Sequence, residues 1–279
     1  MSEEELRTAV ERLAAMPSPE RQEALPVVER LLSALECGAA RAAERVDGAW
    51  KVHAWVKRGI LLCFRVGADV STQVAPSFHF RDRETLPPRG AIPPETRVRI
   101  VPGGTTVRRG AFLGRGVVVM PPAYVNVGAW VGEGTLVDSH ALVGSCAQVG
   151  ARVHLSAAAQ VGGVLEPVSA MPVIIEDDAF VGGGCGIYEG TRVARGAVLA
   201  AGVVITRSVP VYDLVRQCVH RGTAGRPLVI PEGAVVIPGA RPAAGEFARR
   251  HGVYAQTPVI VKYRDAATDA ASVLEEALR

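Results

Sequence analysis

The chain runs to 279 residues, 48% of them apolar and 21% charged, with 31 basic side chains against 28 acidic ones and a formal net charge of +3. That length and apolar content suffice to bury a core, which excludes a disordered chain. The near balance of charge argues against a nucleic-acid binder or a membrane-surface protein.

The N-terminus, MSEEELRTAV, is acidic and amphipathic where a signal peptide would be basic and then apolar. No apolar run approaches the roughly 20 residues of a membrane span, so a cytoplasmic location and no membrane partner are expected. Two stretches within the first 60 residues, ELRTAVERLAAM and ALPVVERLLSALECG, carry apolar positions at helical spacing, and the second stops near Gly38 as a helix should. The run GILLCFRVG at 59–67 reads as a buried strand, and 68–98 as loop-rich.

From Val101 the pattern changes to a period of six, with Val107, Leu113, Val119, Val125, Val131, Val137, Val143, Val149, Leu155 and Val161 all aliphatic. After a break the phase resumes two residues late, through Ile175, Val181, Ile187, Val193, Leu199 and Ile205. Four residues after each of these stands a small or β-branched residue, such as Ala111, Ala129, Ala147 or Ala197. A short strand plus a tight turn makes one side of a triangular coil, with the aliphatic residue pointing inward and the small one packing near the corner. Glycines at 128, 132, 144, 150, 182 and 196 fall near such corners. Neither a helical period nor a doubly wound alternation is present. The fold class is therefore mainly β: a left-handed parallel β-helix of hexapeptide repeats, with Gly163–Pro172 as an extra-helical excursion.

After Val209 the period fades, and AVVIPGA and YAQTPVIVKYR read as strands that cap the open coil end. The expected organisation is an N-terminal helical and mixed domain at 1–98, the β-helix at 99–209 and a small C-terminal β region at 210–279. The cysteines at 37, 63, 146, 185 and 218 are odd in number and scattered, without a C-x-x-C pair. They indicate neither a disulfide framework nor a zinc site, so no metal is expected. A β-helical carbonic anhydrase is disfavoured, because His140 and His154 are fourteen residues apart and lack a third histidine at suitable spacing.

The segments VNVGAWVGEGTLVDSHALVGSCAQVGARVHLS, GGVLEP and IIEDDAFVG resemble the tetrahydrodipicolinate N-succinyltransferase family. So do ERVDGAWKVHAWVKRGILLCFRV and TPVIVKYR, which extends the resemblance over nearly the whole chain. It implies a homotrimer with sites between neighbouring prisms, a coenzyme A thioester (succinyl-CoA or acetyl-CoA) as co-substrate and a small carboxylate-bearing amino acid as acceptor. The family's substrate-binding arginine matches Arg99, although this chain carries one extra residue before VRRGAF. Its amine-positioning aspartate matches Asp138. An arginine fork suits a carboxylate, and a carboxylate can orient an ammonium group and help deprotonate it. Read from the residues alone, Asp138 could equally bond turn amides, and Arg99 could be a solvated strand-end side chain. For coenzyme A the resemblance points to backbone groups near Ala201, Gly202 and Thr206, with Arg207 and Lys262 available for phosphates.

The chain departs from the family at one important place. The family's catalytic glutamate aligns with Gly186, and Gly184 and Cys185 stand where an arginine and a serine are expected. Glu189, three residues on, matches a different family position. His140 replaces a tryptophan two residues after Asp138, and an imidazole can take a proton from an attacking amine; a histidine packed at a coil corner is the alternative. Cys185, in the small-residue column, is expected to be packed rather than nucleophilic. GGGCG opens no helix and so is no phosphate loop. The resulting expectation is an acyl-CoA-dependent N-acyltransferase; the rival is a catalytically inactive hexapeptide trimer serving as a binding or regulatory subunit.

Overall fold

A computed structural model describes residues 2–223 and 225–265. Helix α1 (Glu3–Ala15) opens on a reciprocal cap: the Ser2 hydroxyl accepts the Glu5 N–H at 3.2 Å, and the Glu5 carboxylate accepts the Ser2 N–H at 2.7 Å. Helix α2 (Arg21–Glu36) stops where Gly38 turns to φ 79°. The run read as a buried strand at 59–67 is instead the second half of helix α3 (Ala54–Val66). Besides Lys57, its buried residues, Trp55, Val56, Gly59, Ile60, Leu62, Cys63 and Val66, recur every three to four positions, which the unbroken apolar run ILLCF conceals. Gly59 is where α2 crosses, and a Cβ there would collide with Leu31. The segment expected to be loop-rich also contains a hairpin, Asp69–Ala75 with Phe78–Arg83.

Residues from 99 onward wind into the three-faced coil. The first face stacks Arg99–Ile100, Val118–Val119, Leu136–Val137, His154–Leu155, Phe180–Val181 and Val198–Leu199. The second stacks Thr106–Val107, Tyr124–Val125, Leu142–Val143, Gln160–Val161, Gly186–Ile187 and Val204–Ile205. The third stacks Phe112–Leu113, Trp130–Val131, Gln148–Val149, Ile174–Ile175, Arg192–Val193 and Val229–Ile230. All pairs are parallel, and from Val107 onward the aliphatic column of the sequence forms the buried interior. Its first member is off by one, because Ile100 rather than Val101 stands opposite Val119. The surplus residue is absorbed before Thr106, where Gly103 and Gly104 take φ 144° and 93°. Val131 pairs with Val149 but Val149 with Ile175, so the excursion adds eight residues to an eighteen-residue coil.

Two kinds of position make the corners. One column has left-handed backbone: Gly128, Gly134, His140, Cys146, Arg152, Ala158, Gly184, Gly196 and Gly202 all have φ between 54° and 77°. The other needs proximity rather than positive φ: at Gly132, Gly144, Gly150 and Gly182 a Cβ would press into the backbone of the next coil.

At the C-terminal end, Ala234–Pro242 continues the first face beyond Val198–Leu199 and pairs antiparallel with Tyr254–Tyr263, so the two expected capping strands are present. The N-terminal helices bury a second core that includes Val127 and Cys146 of the coil. Among the described residues, no helix is long and apolar enough to cross a membrane.

Candidate active site

The corner joining the first face to the second collects four of the expected site residues. Backbone bonds run along it from His140 N–H to Pro122, Ala158 N–H to Ser139, Gly184 N–H to Ala157 and Gly202 N–H to Gly183. Asp138 and His140, then Ala157 and Ala158, then Gly183 and Gly184, then Ala201 and Gly202 thus occupy one edge of the prism. With parallel strands about 4.8 Å apart, His140 and Gly202 lie about 14 Å apart along it. Above His140 the edge carries no side chain larger than a methyl group at these corner positions, and Ala157, Ala158, Gly184, Ala201 and Gly202 are exposed.

Asp138 is half-buried and follows the inward Val137. Its Oδ1 accepts the Ser139 N–H at 2.7 Å, so the turn-amide bond weighed from the sequence is present, and that bond commits one oxygen. His140 is exposed with φ 63°, and its carbonyl accepts the Gln160 side-chain amide at 3.2 Å. Arg99 is exposed on the first face, two strands before Leu136, which separates it from the Asp138 level by about 10 Å along the axis.

Thr206 and Arg207 lie elsewhere. They belong to the next corner, between the second and third faces, where Glu189 accepts the Arg207 N–H at 3.0 Å and the Thr206 and Ser208 hydroxyls are 3.3 Å apart. The excursion overhangs this corner and borders an open cavity of about 670 Å³ lined by Glu166, Tyr188, Glu189, Arg207 and Arg226 among others. Lys262 extends from the C-terminal strand, and its ammonium lies 3.4 Å from both carboxylate oxygens of Asp265. One chain therefore brings Asp138, His140, Ala201 and Gly202 to one edge and leaves Arg99, Thr206, Arg207 and Lys262 off it.

Gly186 sits on the second face between Gln160 and Val204. A Cβ there would meet the Tyr188 ring, 2.5 Å from Cε2 and 2.9 Å from the hydroxyl oxygen. A Cβ at Gly162, one coil below, would meet the same ring at 2.8 Å. Tyr188 thus fills the space over the position where the resemblance expects a glutamate. Sequence reasoning missed this residue. The cue was an aromatic ring two positions after an unexpected glycine, on the same side of the chain. Cys185 is buried, its thiol is pushed up by that burial, and Sγ lies 3.1 Å from the Ala200 carbonyl oxygen, as expected of a packed cysteine.

A family profile described as the N-terminal region of tetrahydrodipicolinate N-succinyltransferase matches residues 3–66, and one described as the hexapeptide repeat of succinyl-transferase matches residues 172–207. A 2,3,4,5-tetrahydropyridine-2,6-dicarboxylate N-succinyltransferase of Aromatoleum aromaticum is 44% identical over 255 residues, covering 90% of this chain and 88% of that protein. Its namesake in Pseudoalteromonas translucida is 42% identical over 272 residues, covering 95% and 94%. A solved Campylobacter jejuni structure, described as a 2,3,4,5-tetrahydropyridine-2-carboxylate N-succinyltransferase, aligns with a TM-score of 0.45 at 16% identity, over 84% of this chain and 62% of that one.

Proposed function

The chain belongs to the tetrahydrodipicolinate N-succinyltransferase family, and from that premise we propose that it moves a succinyl group from succinyl-CoA to the amino group of a small, open-chain dicarboxylic amino acid. The observation that carries this reading is the 44% identity extending over 90% of the chain, N-terminal domain included.

The proposed chemistry is direct transfer. The amine nitrogen attacks the thioester carbonyl, a C–N bond forms, the C–S bond breaks, and coenzyme A leaves as the thiolate. Asp138 takes the amine: with Oδ1 held by Ser139, Oδ2 is free to orient the ammonium group and draw off its proton. His140, two residues on, is an exposed imidazole able to pass that proton outward. The stripped edge from Ala157 to Gly202 offers backbone amides and carbonyls to the extended arm of the thioester. Arg99 supplies the fork for a substrate carboxylate, while Arg207 and Lys262 serve phosphates.

These groups are dispersed in one chain, and a homotrimer reunites them. The third face is occupied by the chain's own N-terminal domain: Arg41 lies 4.0 Å over the Trp130 ring, and Trp50 donates to Glu176 at 2.8 Å. The first and second faces present Val118, Leu136, Phe180 and Val198, and Tyr124 and Leu142, only partly covered. Neighbouring prisms packed on these faces would flank the Asp138 edge and bring a partner's groups to it.

The test is initial rates with succinyl-CoA and acetyl-CoA against a panel of amino acids bearing one or two carboxylates, with sedimentation equilibrium for the trimer. Preference for succinyl-CoA with a dicarboxylic acceptor is expected. A protein that binds no CoA thioester by calorimetry would overturn the reading.

A further inference from the structure

Beyond the coil, Val211–Asp213 pairs antiparallel with Cys218–His220, setting Asp213 opposite Cys218 and Val211 opposite His220. Alternate residues of a strand share a face, so Asp213, Cys218 and His220 project together. Cys218 Sγ is 3.7 Å from His220 Nε2, and that nitrogen is 3.3 Å from Asp213 Oδ2. All three donor atoms lie within 4.8 Å of one another. Zinc bonds of about 2.3 Å to sulfur and about 2.0–2.2 Å to nitrogen and oxygen, at tetrahedral angles, separate adjacent ligand atoms by about 3.3–3.6 Å.

The Nε2 atom of His220 faces both the thiol and the carboxylate. One ring nitrogen cannot donate to the carboxylate and take a thiol proton at the same moment, so the cluster is no nucleophile–base–acid relay of the usual kind. A shared cation satisfies all three groups at once. We propose that Asp213, Cys218 and His220 form a zinc site whose fourth position is open to solvent.

Two further features fit. Asp213 is only 2% exposed and already oriented: Oδ2 accepts the Tyr263 hydroxyl at 2.6 Å, and Oδ1 accepts the Val215 and Arg216 N–H groups at 3.1 and 2.9 Å. Hydrogen bonds of this kind fix metal-bound carboxylates in place. Cys218 is exposed, which gives the ion a way in. The mixture of sulfur, nitrogen and oxygen donors suits zinc and disfavours magnesium or calcium. Cys218–His220 is also the outermost strand of a ten-stranded sheet, so the ion would pin a sheet edge to the strand beside it. This site was missed in the sequence because its spacing, Asp-x4-Cys-x-His, depends on a hairpin between the first ligand and the other two. The inference does not rest on the acyl-transfer reading.

The experiment is metal content. Untagged protein is stripped with EDTA, equilibrated with zinc chloride at low micromolar free zinc, and assayed by mass spectrometry and by cobalt substitution. One zinc per chain is expected, together with a thiolate-to-cobalt absorption band. Cys218→Ser and His220→Ala should each weaken binding by at least about tenfold and abolish the band, whereas Cys37→Ser, at the other exposed cysteine, should change neither. Less than a tenth of an equivalent in the parent protein, or equal retention by the Cys218 variant, overturns the site.

Discussion

At the scale of single residues, the pair Gly186 and Tyr188 shows how one departure from a family pattern entails another. With the ring across Gly186 and Gly162, no side chain fits at either glycine without moving it. Gly186→Glu alone is therefore expected to destabilise the chain by about 1–3 kcal/mol, the usual cost of overpacking. Adding Tyr188→Val should recover most of that loss, and equal urea midpoints for the single and double variants would reject the coupling. Asp138→Asn tests the charge without the turn, because the amide oxygen can still accept from Ser139. Turnover should fall by about a hundredfold or more with an unchanged circular dichroism spectrum; full activity would remove Asp138 from the mechanism. For His140, whose φ is 63°, asparagine is the informative replacement, since it tolerates left-handed backbone and cannot act as the base. If the imidazole relays the proton, His140→Asn lowers turnover by about a hundredfold at saturating substrate; unchanged turnover would remove it from the relay. Asp138 stood out in the sequence because a carboxylate is unusual directly after an inward aliphatic. Tyr188 did not, because the period reports which residues point inward and says nothing about which outward ring lies over which neighbour.

At the scale of elements, α3 is the instructive misreading. A continuous apolar run is ambiguous between a strand and a helix buried on several sides, and α3 packs against α1, α2 and the coil at once. Lys57, in the first half of this helix and just before the misread run, is fully buried. Its ammonium donates to the Ala170 carbonyl of the excursion at 2.7 Å, tying the helix to the loop that overhangs the cavity. Burial lowers the Lys57 pKa below the ordinary 10.5. The unfolded chain therefore binds more protons than the folded one between the lowered value and 10.5, and stability from this site rises with pH across that window. Lys57→Met should flatten this rise, seen as a smaller gain in urea midpoint between neutral pH and pH near 10 than in the parent protein. An identical gain in both would show that Lys57 is not the titrating group. The same variant should speed hydrogen exchange in the excursion, since the Ala170 carbonyl loses its donor.

At the scale of the whole molecule, the interior of the prism was readable because every coil repeats the same instruction, so one slipped register at Ile100 leaves the others intact. What joins the coils to the N-terminal domain was not readable, since it depends on outward residues that obey no period. A repeat structure whose coils contact only their neighbours can open from an end. Here one domain grips several coils of the third face. Arg41 stacks on Trp130 and donates to the buried Gln148 at 2.6 Å, Trp130 stacks on Phe112 at 3.8 Å, and Trp50 reaches Glu176. Those residues belong to four successive coils, so loosening the clamp should free them together. Arg41→Ala leaves the Gln148 oxygen buried without its donor, a loss of about 1–3 kcal/mol. The expected result is a lower urea midpoint with faster exchange at Trp130–Val131 and Gln148–Val149, while Leu136–Val137 on the first face changes less. Were the coil autonomous, exchange would stay the same on all three faces and the loss would be confined to the helices. The N-terminal domain would then be a passenger rather than the brace of the prism.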